Sequence, residues 1–200
     1  MCRELIEHVL SFLKVPCLDM KHVRATNTSS LGTWNPDGRC GIAQCLDKSD
    51  DNWWISGENS MPCGVGAEWV SFSLSDDANI PTRVRFDRVE LRIPPLPSGP
   101  LSVRNFFLES SHTREGPWTR VTPDLTTMDS AQTQCFDVGP IEAAFLRIVC
   151  TRNAARANID KVRAQRARLG LTGGGETEED EQRALERITP SVGFFSISFG

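Results

Sequence analysis

Residues 45–74, CLDKSDDNWWISGENSMPCGVGAEWVSFSL, decide the fold of this chain. In the last six of them apolar residues at every second position, such as Val70 and Phe72, alternate with serines. This period of two is that of a half-buried β-strand. The preceding loop is rich in Asp, Asn and Gly and carries Trp53 and Trp54 outside any helical period. The stretch therefore predicts an ordered loop that leads into a strand of a β-sandwich.

Similar strand patterns recur along the rest of the chain. They lie at residues 22–30, 82–93, 101–111, 118–121, 125–129, 132–138, 143–151 and 192–200. The pattern of 82–93 shifts its apolar phase between Phe86 and Val89, which predicts a β-bulge near Asp87. The nearly unbroken apolar run at 143–151 predicts a central strand that is buried on both faces. Many short strands with Gly and Pro turns between them indicate an all-β protein, an antiparallel β-sandwich.

Helical patterns lie only at the margins of the strand pattern. Residues 3–14 place their aliphatic side chains on one helical face, and Pro16 ends that pattern. Residues 153–190 have no strand character and contain a basic and an acidic helical piece on either side of three glycines. They predict a helical or disordered insertion before the last strand. The expected domains are an N-terminal helix and linker at 1–21 and one sandwich at 22–200.

The net charge and the cysteines of the chain indicate which partners and which cellular compartment to expect. The net charge of −4 provides no general attraction to nucleic acid or to an anionic membrane. The apolar runs are too short to span a membrane, and no signal-peptide pattern opens the chain. Seven irregularly spaced cysteines favour free thiols in a reducing compartment and a cytoplasmic location. A zinc site at Cys40, Cys45 and Cys63 is the alternative, although these residues lack the two short-spaced pairs of a structural zinc site.

Six segments of the chain resemble one known family and occur in the same order. They are ATNTSS (25–30), CLDKSDDNWWISGE (45–58), EWVSFSL (68–74), FFLESSHTREGPWTRV (106–121), AAFLRIVC (143–150) and VGFFSISFG (192–200). The chain resembles the galactose-binding-domain-like superfamily, which includes the discoidin or coagulation-factor type C domains and the DOC domains of ubiquitin ligases. The resemblance implies a jelly-roll sandwich of about eight strands that binds ligands through loops at one end. It also implies core positions for Trp54, Trp69 and Trp118, and the lack of a cysteine in 192–200 favours an intracellular member.

The loops expected at that end carry the candidate ligand-binding residues. They are Trp34, Asn35, Asp37, Arg39, Trp53, His112 and Arg114, on the loops 31–41 and 47–66 and the turn 112–117. Aromatic faces beside Arg, Asn and Asp suit the ring and the hydroxyl groups of a sugar, and the same set forms hot spots in protein interfaces. The acidic run at 47–52 is typical of an ordinary turn, since it lacks the spacing of a defined calcium loop. The calcium alternative uses Asp47, Asp50, Asp51 and Asn52.

The sequence contains no recognisable catalytic constellation. His8, His22 and His112 are scattered, and the chain has no Gly-x-Ser-x-Gly, His-Glu-x-x-His or Walker motif. The leading hypothesis is therefore a non-catalytic intracellular recognition module that binds a protein or peptide partner. The resemblance to DOC domains implies that ubiquitin-ligase machinery is one such partner. A carbohydrate-binding module that uses the same loops is the alternative. A hydrolase on a sandwich scaffold is the second alternative.

Overall fold

The structure, a computed structural model, describes residues 16–31, 41–47, 52–57, 65–75, 82–94, 99–170, 175–188 and 191–200. Within them the chain forms a sandwich built from antiparallel β-sheets. The all-β sandwich that the sequence predicts is confirmed. The helix predicted at 3–14 lies outside the described residues.

The strands of the described part of the chain build a larger sheet of six strands, a smaller sheet of three strands and a separate two-stranded pair. In chain order they are β1 (Arg24–Thr28), β2 (Trp54–Ile55), β3 (Val65–Ser73), β4 (Val84–Arg92), β5 (Val103–Ser111), β6 (Thr119–Arg120), β7 (Leu125–Thr126), β8 (Gln134–Ala143), β9 (Phe145–Asn153), β10 (Gly193–Phe194) and β11 (Ser196–Phe199). The larger sheet has the order β1-β3-β9-β5-β6, with β7 also paired to β5. The smaller sheet has the order β11-β4-β8, and β10 pairs with β2. β1 is an edge strand of the larger sheet, and β9 is central, as the sequence predicts.

The predicted bulge is present in β4. The N–H groups of Asp87 and Arg88 both donate to the carbonyl oxygen of Gly200, each at 2.9 Å. Two residues of β4 thus oppose one residue of the last segment, which is the definition of a bulge. After it, Val89 and Leu91 face the core again and are fully buried.

Apolar side chains of both sheets fill the space between them. Val70 and Phe72 of the larger sheet are fully buried, as is Leu91 of the smaller sheet. Trp54 is also fully buried, and its ring centroid lies 5.3 Å from that of Phe194. The predicted core position of Trp54 is therefore confirmed.

Trp69 and Trp118 lie outside this core, so their predicted core positions are wrong. Both are half-buried, and their rings flank the guanidinium group of Arg147 on the outer face of the larger sheet. Trp69 directly precedes Val70 in β3, and neighbouring residues of a strand point to opposite faces of the sheet. Since Val70 faces the core, Trp69 faces outward.

Two helices form the insertion between β9 and β10, as the helical alternative predicts. They are α1 (Ala154–Arg168) and α2 (Gly175–Glu186). Asn153, the last residue of β9, caps α1, because its Oδ1 accepts the N–H of Arg156 at 3.0 Å. Its Nδ2 donates to the carbonyl oxygen of Ser191 at 3.0 Å. The cap thereby ties the start of α1 to the segment that returns the chain to β10.

No helix in the described part of the chain is both long enough and apolar enough to cross a membrane.

The pairing register distinguishes the two ends of the larger sheet. Ser73 and Ser111 both pair with Phe145 at one end. Val103 pairs with Asn153 at the other end, where α1 begins. We name these the Phe145 end and the helix end.

Candidate functional site

An apolar cavity of about 160 Å³ lies at the helix end. One of its lining residues is Ser102, which directly precedes β5. The others include Trp53, Pro94, Gly99, Pro100, Leu101 and Gly193. Most of the exposed surface inside the cavity is apolar. A ligand group that enters it should therefore be apolar, since a polar group would lose its hydrogen bonds to water.

Close backbone packing shapes this cavity. Gly193 lies in β10, where a Cβ atom would collide with the carbonyl oxygen of Trp54 in the paired strand β2. A Cβ atom on Gly99 would collide in the same way with the carbonyl oxygen of Pro94. That oxygen also accepts a hydrogen bond from Oγ of Ser102 at 2.5 Å. The absence of side chains at the two glycines allows these close approaches, so the walls of the cavity are formed before any ligand arrives.

An aromatic pair, Trp53 and Phe195, lies beside the cavity. The two rings are nearly parallel, with centroids 6.0 Å apart and planes inclined by 18°. Both residues are half-buried, and Trp53 also lines the cavity. Backbone hydrogen bonds hold both: Gly41 donates to the carbonyl oxygen of Trp53 at 3.2 Å, and Phe195 donates to that of Arg92 at 2.9 Å. The pair is a fixed, partly accessible aromatic surface.

A buried carboxylate anchors the chain segments that meet at the helix end. Glu68 is 1% exposed, and the hydroxyl groups of Ser29 and Ser30 both donate to its Oε2 at 2.5 Å. Oγ of Ser30 also accepts the N–H of Gly57 at 2.9 Å. Glu68 thus connects the end of β1 with the chain that follows β2. The sequence contains a signal for this anchor that our predictions missed: Glu68 stands two residues before Val70, so it shares the inward face of the strand.

The structure separates the predicted site residues that it describes. Trp53 lies at the helix end, beside the cavity. The turn 112–117, which carries His112 and Arg114, follows Ser111 at the Phe145 end. The prediction that this turn shares one end with Trp53 is therefore wrong, because β5 carries the chain across the sheet before the turn begins.

His112 and Arg114 are both exposed and make contacts of their own at the Phe145 end. Nε2 of His112 lies 3.3 Å from a guanidinium nitrogen of Arg83. Arg114 donates to the carbonyl oxygen of Thr26 in β1 at 3.4 Å. The remaining predicted ligand-binding residues, Trp34, Asn35, Asp37 and Arg39, lie outside the described residues.

Within the part of the chain that the structure describes, no three His, Cys, Asp or Glu side chains converge on a point where they could hold a metal ion. Asp47 accepts a hydrogen bond from Nδ2 of Asn52 at 2.8 Å, a contact that suits an ordinary turn. The other residues of the calcium and zinc alternatives, Asp50, Asp51, Cys40 and Cys63, lie outside the described residues. The four described cysteines, Cys17, Cys45, Cys135 and Cys150, are free thiols, as the sequence predicts.

Solved structures with the same fold include sugar-binding modules. A family 32 carbohydrate-binding module from Clostridium perfringens, in complex with GalNAc-β-1,3-galactose, matches with a TM-score of 0.57 and 11% identity over 91% of this chain and 97% of that chain. The family 32 module of C. perfringens NanJ, in complex with galactose, matches with a TM-score of 0.54 and 11% identity over 92% and 97%. An F5/8 type C domain from Bacteroides fragilis matches with a TM-score of 0.55 and 13% identity over 92% and 94%. No protein-family model and no curated protein matches the sequence.

Proposed function

We propose that this chain, which has the fold of the galactose-binding-domain-like superfamily, is a non-catalytic carbohydrate-binding module. Its sugar-binding surface is the aromatic pair of Trp53 and Phe195 at the helix end. One sugar ring packs its C–H face against Trp53, and an apolar substituent of the ligand enters the adjacent cavity. The protein thereby recognises a saccharide without changing it chemically.

The aromatic pair beside the cavity is the observation that carries this proposal. A sugar ring has faces made of C–H groups, and their burial on an aromatic surface is favourable while the hydroxyl groups at the ring edge keep other partners. The cavity of about 160 Å³ is smaller than the roughly 300–1,000 Å³ of pockets that enclose a whole small ligand. It suits a single substituent of a ring that rests on the aromatic surface.

A protein or peptide partner ranks first on sequence alone, and we now rank it second. Two of the solved neighbours hold saccharides, GalNAc-β-1,3-galactose and galactose. A peptide helix requires a long apolar groove. A stacked pair of rings beside a small cavity is a shorter surface, and it suits a single sugar ring better than a helix. Recognition of ubiquitin-ligase machinery stays a prediction of the sequence.

A glycan array, followed by calorimetric titration of the best ligand, tests the proposal. Trp53→Ala should weaken glycan binding at least about tenfold, a loss of roughly 1.4 kcal/mol, because it removes the ring on which the sugar packs. Trp118→Ala is the matched control, since it removes an equally half-buried tryptophan from the outer face of the larger sheet. Its affinity should stay within about twofold of the wild type, as expected for a substitution outside the binding surface.

Two results would overturn the proposal. One is an array on which the folded protein binds no glycan. The other is an equal loss of affinity in Trp53→Ala and Trp118→Ala, because such a loss reflects general destabilisation. Circular dichroism of both variants establishes that they are folded.

A further inference from the structure

A second groove, of about 460 Å³, lies at the helix end between α1 and the strands β5 and β7. It is lined by Arg104 and Asn105 of β5, by residues 126–129, and by the side of α1 that carries Asn158 and Lys161. It shares no lining residue with the apolar cavity. Its volume falls within the roughly 300–1,000 Å³ that is typical of small-ligand sites.

Arg104 is held in place within this groove. One of its terminal nitrogens donates to the carbonyl oxygen of Thr127 at 2.6 Å. Thr127 is buried and is itself fixed by β5, because its N–H donates to the carbonyl oxygen of Arg104 at 2.9 Å and its Oγ1 donates to that of Val103 at 2.7 Å. A guanidinium group has five N–H donors. Its other donors are therefore presented at a fixed position, which lowers the entropy that binding costs.

The wall opposite α1 is equally well supported. Gln134 brackets Met128, because its Oε1 accepts the N–H of Met128 at 2.6 Å and its Nε2 donates to the carbonyl oxygen of Met128 at 2.9 Å. Asn105 donates from Nδ2 to Oγ1 of Thr126 at 2.9 Å. The side chain of Met128 stays 69% exposed. The groove thus combines fixed amide and hydroxyl groups with one accessible apolar side chain.

The cations of this groove outnumber the carboxylates among its described lining residues. Neither Arg104 nor Lys161 forms an ion pair with any residue that the structure describes. By contrast, Arg152 and Arg156, at the start of α1, both pair with Asp160, at 3.2 and 3.1 Å. Among the described residues that line the groove, Asp129 is the only carboxylate. Two cations against one anion leave an excess of positive charge.

We infer that this groove binds an acidic sugar, with the carboxylate of a uronic-acid residue between Arg104 and Lys161. A planar guanidinium group matches a carboxylate geometrically, and charge-assisted hydrogen bonds of this kind are the stronger ones. The amide groups of Asn105 and Asn158 are available for ring hydroxyls, and Met128 for an apolar patch of the ring. The inference rests on the proposed function in one respect, that the ligand is a saccharide, but it uses a different surface.

NMR titration of the full chain with methyl β-galacturonide and methyl β-galactoside tests the inference. The two sugars differ only at C6, where one has a carboxylate and the other a hydroxymethyl group. At about 50 mM salt, where exposed charges are weakly screened, we expect the acid to bind about tenfold more tightly. The acid should shift the backbone amide signals of Arg104, Asn105 and Lys161 at concentrations at which the neutral sugar leaves them unchanged.

Charge substitutions on α1 provide the matched comparison. Lys161 is exposed and unpaired within the described residues, so Lys161→Ala and Lys161→Glu should fold normally. We expect them to weaken binding of the acid about fivefold and at least tenfold, without effect on the neutral sugar. Arg168→Ala and Arg168→Glu make the same charge changes at an exposed residue of the same helix outside the groove. They should change the affinity for the acid less than twofold.

Each other outcome counts against the inference. Equal affinities for the two sugars would overturn it. So would an equal loss of affinity in Arg168→Glu and Lys161→Glu, because it would show that the positive charge of the whole helix, and not the groove, attracts the acid. Displacement of the acid by acetate at equal concentration would show a simple anion site. The proposed function fails separately: a Lys161-dependent acid site together with glycan binding that Trp53→Ala leaves intact would retain this inference and remove the aromatic platform.

Discussion

The carboxylate of Glu68 lies on the inward face of β3, paired across the sheet with the buried Cys150. Burial of a charged group costs free energy unless hydrogen bonds replace those to water. The hydroxyl groups of Ser29 and Ser30 supply such bonds. These two serines directly follow β1, and Ser30 also accepts from Gly57. The side chain of Glu68 therefore holds the segment after β1 and the segment after β2 together at the helix end.

Glu68→Ala should lower the free energy of unfolding by about 2–3 kcal/mol, because it removes a buried carboxylate that accepts two hydrogen bonds, and a hydrogen bond to a charged group contributes roughly 1.5–3 kcal/mol. Glu68→Gln should cost less than about 1 kcal/mol, since its amide oxygen accepts the same hydrogen bonds and no charge is buried. Urea unfolding measures both. The control is Glu142→Ala, at an exposed position of β8, with an expected change within about 0.5 kcal/mol. Equal costs for the Ala and Gln variants at Glu68 would contradict the hydrogen-bond explanation.

At the scale of strands, a cluster on the outer face of the larger sheet ties four chain segments together. The guanidinium carbon of Arg147 in β9 lies 5.3 Å from the ring centroid of Trp69 in β3 and 4.7 Å from that of Trp118, which precedes β6. Arg147 also forms an ion pair with Glu109 in β5. Its side chain is 21% exposed and that of Glu109 16%. Partial burial makes both the ion pair and the cation–π contacts stronger than those of an exposed pair.

Arg147→Met should lower the free energy of unfolding by about 2 kcal/mol, because it removes the cation from both rings and leaves the carboxylate of Glu109 without its partner. In the double variant Arg147→Met/Glu109→Gln we expect the loss to be at least about 1 kcal/mol smaller than the sum of the single losses. The exposed pair of Arg183 and Glu179 in α2 is the control. Arg183→Met should change stability by less than about 0.5 kcal/mol. Strict additivity at Arg147 and Glu109 would show that the two do not act together.

On the scale of the whole molecule, the sandwich brings the apolar cavity and the groove beside α1 to one end. Ser102 of the apolar cavity and Arg104 of the basic groove are two residues apart in the chain, near the start of β5. The turn with His112 and Arg114 lies a full strand away, at the Phe145 end. The helix end therefore carries both candidate sites, the apolar cavity with its aromatic pair and the groove with Arg104 and Lys161.

Two buried thiols make the stability of the whole fold depend on pH. Burial raises the pKa of Cys45 and of Cys150 well above that of an ordinary thiol, and the charge of Glu68 raises that of Cys150 further. In the unfolded chain both thiols ionise above about pH 8.5, whereas in the folded protein they stay protonated. The folded state then binds more protons than the unfolded state, so the free energy of unfolding falls as pH rises.

We expect a loss of about 1.4 kcal/mol per pH unit for each thiol above about pH 9. Chemical denaturation between pH 7 and pH 10.5 measures this, and the sequence has no tyrosine to titrate in the same range. Cys45→Ala is the control, because it should remove about half of the slope. A stability that stays constant up to pH 10 would contradict the assignment of these thiols to the core.

Local patterns account for most of the correct predictions. The alternation from Val70 onward, the phase shift before Val89 and the unbroken apolar run of β9 each depend only on neighbouring residues, because strand geometry has a period of two. The same rule, applied strictly, also excludes Trp69 from the core. The family resemblance placed it there, and the resemblance was wrong at this position.

The candidate site was less predictable because its parts are distant in sequence. The sequence predicts Trp53 as a ligand-binding residue, but it predicts its neighbour Phe195 only as part of a closing strand. The groove unites Arg104 with Lys161, and nothing in the local pattern of either residue indicates the other. Long-range pairing, such as that of β2 with β10, is set by the packing of the whole core, which no window of a few residues contains.

The sequence by itself determined the class of the fold and the central position of β9, since both follow from the pattern of apolar residues along the strands, and the family resemblance supplied the burial of Trp54. Only the tertiary structure decided which end each loop occupies, that Phe195 lies beside Trp53, and that Arg104 and Lys161 line one groove. The physical reason is that strand direction and sheet order, set by long-range hydrogen bonds and core packing, bring together side chains that are far apart in the sequence.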